Sequence, residues 1–357
     1  MTHSLKQRLE QAGIEVADSQ VAPAIESPWF VRALQAFSGW LAALFLLGFI
    51  GMGMVFVFES SIAAAGLGLV MIAGAYALLR GNGGDFLEHL ALAASLTGQL
   101  LVAWALADVL MSHTARLWWA LLPLQVLLAL IMPSLTHRCV SALAACLALY
   151  LALIESSAAT SLASGLVLLV ATALWLNEFR WPAYLRQCQA LGYGLLLGLL
   201  AIQVMAYAGR SPFMFRHHDS EVLAWLAPWG GDALATLALL ILLWHVFKRH
   251  AQARMPGVRL AAYGAAVVLM LLSWQAHGLS QGAVVIALGF AIGNRLIIGL
   301  GVILLLLASA NYYYWLEVTL LVKAVTLCVL GVVLLTLRWM LRRWWRSPPR
   351  GEMEGGQ

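Results

Sequence analysis

Long apolar runs broken by short polar stretches set the pattern of this chain. From Ala36 onward they recur to the end, most of them 17 or more residues long. A helix of that length crosses a hydrocarbon core of about 30 Å. The pattern predicts twelve spans, at 36–58, 61–79, 87–111, 115–132, 139–154, 160–177, 188–208, 231–247, 257–275, 279–292, 295–315 and 318–338. The fifth and tenth are short, so each either tilts into a neighbour, thins the bilayer locally or fails to cross. Ahead of the first span, Ser4 and Gln7 have capping-box spacing and Gly13 is a stop, which predicts a short surface helix. A linker from Val16 to Glu26 follows, and Ser27-Pro28 opens the next helix.

Lysine and arginine placement orients these spans. With the N-terminus in the cytoplasm, 17 of the 21 basic residues fall in inside segments. Arg116, Arg210 and Arg216 lie outside, and Lys323 is left within a span. The bias follows the positive-inside rule with an even number of crossings. Aromatic anchors agree: Tyr312, Tyr313, Tyr314 and Trp315 mark the outer interface before the last span, and Trp339, Trp344 and Trp345 mark the inner one after it. The expected architecture is an all-α polytopic transmembrane helical bundle of about twelve spans, N-in and C-in. Residues 1–35 form a cytoplasmic N-terminal segment, 36–338 the transmembrane domain and 339–357 a basic cytoplasmic tail.

Composition narrows the function classes. About 62% of the 357 residues are hydrophobic and 10% charged, against roughly 25% charged in soluble domains. The net charge of +5 sits where membrane topology requires it, so no nucleic-acid partner is implied; the bilayer is the expected partner. Cys139, Cys146, Cys188 and Cys328 lie within or at the ends of spans and form no CxxC pair. No nucleotide-binding, metal or cofactor signature stands out. His217-His218-Asp219-x-Glu221 in an outer loop lacks the spacing of a metal site and reads as a solvated loop.

NYYYWLEVTLLVKAVTLCVLGVVLL near the end, SPWFVRALQAFSGWLAALFLLGFIG near the start and FLEHLALAASLTGQLL in the third span resemble a family of bacterial multi-pass membrane proteins described only as a domain of unknown function. The resemblance covers about Ser27 to Arg338. Its pattern is a tyrosine run, then Thr-Leu-Leu-x-Lys, then a glycine, here Tyr312 to Tyr314, Thr319 to Leu321, Lys323 and Gly331. Ala324 stands where the resemblance leads one to expect a serine, so a hydroxyl is missing there. The resemblance implies an inner-membrane location and no assigned activity.

Two polar stripes are candidates for function. In the last span, Thr319, Lys323 and Thr326 share one helical face. The structural reading of Lys323 is snorkelling or an ion pair, and the functional one is a buried cation that binds an anion or changes protonation. In the third span, Glu88, Ser95 and Gln99 also share a face, with interhelical hydrogen bonding as the plain explanation. Glu88 and His89 are expected to be wet at the cytoplasmic end, and Asp108 to be a solvated end on the opposite face. Gly194-xxx-Gly198 and Gly289-xxx-Gly293 have the spacing of close helix packing. These features predict a non-enzymatic component of a membrane or envelope complex with other inner-membrane proteins. A transporter or flippase with a site near Lys323 is the alternative, and an enzyme ranks third for want of a nucleophile, base and orienting group together.

Overall fold

The computed structural model describes residues 59–81, 85–110, 114–156, 160–208, 230–249, 256–273 and 278–315, with isolated positions between 31 and 52 and between 321 and 335. Ten α-helices and no strand occur among them. They are α1 (Ser61–Arg80), α2 (Asp85–Val109), α3 (Thr114–Ile131), α4 (Leu135–Glu155), α5 (Ser161–Leu176), α6 (Leu185–Ala208), α7 (Gly230–Arg249), α8 (Pro256–Ser273), α9 (Leu279–Ile292) and α10 (Arg295–Trp315). Two short 3-10 turns join α5 to α6. One helix occupies each of the second to eleventh windows expected from the sequence. The short helix expected after Ser4 and the linker from Val16 lie outside the described residues.

Seven of the described helices are long and apolar enough to cross a membrane, whereas α5 and α9 are shorter apolar helices. The outward faces are as greasy as the interior: Ile62, Leu100, Phe290 and Leu296 are all more than half exposed. Hydrocarbon, rather than water, is the solvent such a surface suits, and the chain is compatible with an integral membrane protein.

The expected fifth span needs correction. The sequence places its start at 139, because Arg138 reads as a loop charge. In the structure Ser134 caps the helix, its hydroxyl accepting from the His137 amide at 3.4 Å, and α4 runs for 21 residues from Leu135. Arg138 is accommodated by donating its Nε–H to the Met132 carbonyl at 2.6 Å. The cation is thereby satisfied inside a helix that is long enough to cross.

Three pairs of consecutive helices pack extensively as hairpins, α1 on α2, α3 on α4 and α9 on α10, and α6 packs almost as extensively on α4. Small residues allow this. An ideal Cβ on Gly68 would meet the Gly98 carbonyl oxygen at 2.6 Å, and one on Gly98 would meet the Gly68 carbonyl oxygen at 2.5 Å. The two backbones therefore touch where α1 crosses α2, a contact that only glycine permits. Gly194 and Gly198 of α6 lie in the same way against Cys139 and Cys146 of α4, so this pair packs inside the bundle. Gly289 meets Ile298 of α10, whereas Gly293, at φ +76, forms the left-handed cap that ends α9.

Four apolar clusters result among the described residues, two of them large enough to join several helices. The larger joins α4 to α10 around Leu168, Leu196, Leu199, Leu242 and Leu288, with Ala266 the contribution of α8. The smaller joins α1, α2 and α3 through Ile72, Val102, Leu128 and Met132. Between and beside these clusters lie the buried polar side chains.

Candidate functional site

The polar seam where α2, α3 and α4 meet is built around His137, which is fully buried. In the first turn of α4, it points across to α2. Its Nε2 lies 2.8 Å from Ser95 Oγ and 3.4 Å from Gln99 Nε2, and its Nδ1 lies 3.1 Å from Ser141 Oγ. Gln99 Nε2 donates to Ser95 Oγ at 3.2 Å, and Gln125 of α3 donates to Gln99 Oε1 at 2.8 Å.

One proton arrangement avoids facing two donors. Gln99 presents an N–H to the ring, so His137 Nε2 is the acceptor, and Ser95 donates its hydroxyl proton to it. Nδ1 then carries the hydrogen and donates to Ser141. The histidine is neutral in this arrangement, with both nitrogens engaged. Gln125 Oε1 is the open end of the chain, buried without a partner among the described residues.

The expected stripe on α2 therefore divides. Ser95 and Gln99 come together in this seam. Glu88, two turns earlier, instead accepts a short hydrogen bond from Ser134 Oγ, the capping residue of α4. His89 is half-buried, and its Nδ1 is an enclosed atom with no partner among the described residues. Asp108 is half-buried and accepts from Ser61 Oγ at the far end of the α1–α2 hairpin.

His137, Gln125 and Ser141 are not among the residues singled out from the sequence. Their signal was present in part: His137 and Ser141 are four apart on one helical face, visible once α4 is allowed to begin at Leu135. Gln125 is a lone amide in an otherwise apolar helix.

A second seam ties α5, α6 and α9. Gln203 Nε2 donates to Gln281 Oε1 at 2.9 Å, and Gln281 Nε2 donates to Ser164 Oγ at 2.9 Å. Beside it, Ser280 Oγ donates to Asp232 of α7 at 2.8 Å. Both seams cross-link helices distant in sequence.

Lys323, Thr319 and Thr326 lie outside the described residues, as do Trp339, Trp344 and Trp345 and the His217-His218-Asp219-x-Glu221 loop. Tyr313, Tyr314 and Trp315 fall in the last turn of α10, with side chains outside the described set. Tyr312 is buried against Leu279 and Ala308. No group of three or more His, Cys, Asp or Glu among the described residues is placed to hold a metal.

A family model described as "Domain of unknown function (DUF4401)" matches residues 28–344. The chain belongs to this family. No curated protein and no solved structure matches it. The DUF4401 region contains all ten described helices, both polar seams and the Lys323 stripe.

Proposed function

We propose that this DUF4401 protein is a multi-pass integral protein of the bacterial inner membrane, with about twelve spans and both termini in the cytoplasm. In this reading it is a non-enzymatic component of a membrane or envelope complex with other inner-membrane proteins. One observation carries the proposal. The buried polar side chains of α2, α3, α4, α5, α6 and α9 bond mainly to one another across helix seams. Interhelical hydrogen bonds of this kind clamp a bundle that has little hydrophobic drive to assemble in lipid. Side chains used as clamps support a rigid scaffold for partners. The test is purification of the native protein from its own membrane in mild detergent. A stoichiometric membrane partner, lost when the bundle is loosened at the seams, supports the reading; a protein that always migrates alone and carries a measurable turnover sinks it.

A secondary transporter or flippase is the second reading, and His137 favours it. An ionisable side chain within a membrane-length helix is a functional candidate by default. Lys323, with Thr319 and Thr326, would supply the cation of such a site. Lys323→Met should then abolish uptake into proteoliposomes at normal expression, whereas in the component reading it alters only folding or assembly.

A further inference from the structure

We propose that the cavity beside the α1–α2 turn holds the ammonium headgroup of an aminophospholipid. The proposal is independent of whether the protein serves a complex or transports. The cavity has a volume of about 450 Å³, within the range of roughly 300–1,000 Å³ usual for small-molecule sites. Glu88, Ser134 and Thr136 supply its polar lining, and Leu78, Leu87 and Leu135 its walls. These three leucines are also exposed, so the mouth opens on the apolar outer surface of the bundle.

The chemistry of the lining selects the ligand. Glu88 accepts from Ser134 through Oε1, and among the described residues no cation pairs with it. Its other oxygen has no partner among the described residues and can accept. A primary ammonium brings three N–H donors to a carboxylate and a threonine hydroxyl, whereas a trimethylammonium brings none. The apolar rim suits a headgroup tethered to acyl chains. Arg80 is next in sequence to Gly81 of the cavity lining. It is exposed, with its guanidinium 4.7 Å from the Tyr76 ring centroid, and would have to leave that ring to offer a fork to the lipid phosphate.

The full chain is reconstituted in nanodiscs of equal phosphatidylethanolamine and phosphatidylcholine, re-extracted in mild detergent, and its retained lipid counted by native mass spectrometry. The wild type should retain the ethanolamine lipid in preference. Glu88→Gln keeps the Ser134 bond, and should lower that preference about tenfold, the loss expected of a charge-assisted hydrogen bond. Glu88→Asp should keep part of it. Thr136→Trp, an exposed substitution that fills the mouth without touching the carboxylate, should also abolish it. Equal retention of the two lipids by the wild type, or unchanged retention in Glu88→Gln, overturns the proposal. So does binding of free dodecylamine to Glu88 in a protein that shows no lipid preference.

Discussion

His137 Nε2 and Ser95 Oγ, 42 positions apart in the chain, meet at 2.8 Å in the interior of the bundle. The contact closes the seam between α4 and α2, and Gln99 and Gln125 extend it to α3. His137→Ala removes the hub and leaves the Ser95 hydroxyl and Ser141 without their partner. A buried orphan costs about 1–3 kcal/mol, so the variant should lose about that much unfolding free energy and unfold at a lower SDS fraction. Ser95→Ala should cost less, and a double-mutant cycle between the two should give a coupling near the 0.6–1.7 kcal/mol range seen for interhelical bonds in membranes. Additive effects would show that the contact does not hold the seam.

Glycine substitutions in α1 and α2 should separate sharply by position. At Gly98 a methyl group meets a backbone carbonyl, which cannot step aside, so Gly98→Ala should destabilise the protein by about 1–3 kcal/mol, the usual penalty of overpacking. Gly74 lies in the same hairpin with open space around its missing Cβ. Gly74→Ala should be neutral or stabilising by up to about 1 kcal/mol through helix propensity. Thermal unfolding in detergent reads both.

At Gly293 the cost is conformational alone, because φ is +76 and nothing lies within 4 Å. Asn visits the left-handed region readily and a β-branched residue does not. Gly293→Asn should lower the melting temperature little, and Gly293→Val should lower it by the equivalent of about 1–2 kcal/mol.

Sidedness gives the fourth test. Hydrogen bonds from Thr114 to Glu155 and from Trp119 to Ser156 mark one end of the α3–α4 hairpin; Ser134 and Arg138 mark the other. In a cysteine-free background, a cysteine at Ser156 should react with an impermeant maleimide on intact cells. One at Gly81 should react only after the inner membrane is opened. The reverse pattern would invert the proposed orientation.

Helix positions between 61 and 315 were largely legible because length and apolarity are imposed on each helix separately. Arg138 misled at α4 because a charge normally ends a span; here a backbone carbonyl satisfies it. Which helix packs on which was not legible. In lipid, Leu100 facing outward and Leu101 facing inward are equally apolar, so sequence periodicity loses the contrast that marks a core in water. Polar and small residues kept that information: Ser95 and Gln99 identify the inner face of α2, and Gly68 that of α1. Glu88 could not be separated from their stripe by spacing, because only the cap of another helix, Ser134, draws it away.

The 14 residues of α9 rise about 21 Å, and the 16 of α5 about 24 Å. Gln281 and Ser164 fasten these two helices together, so their shortfall is concentrated on one flank. Each ångström of disagreement with the surrounding hydrocarbon costs a fraction of a kcal/mol. Short-chain lipids should therefore collect along that flank, and the molecule as a whole should partition away from thick, ordered membranes.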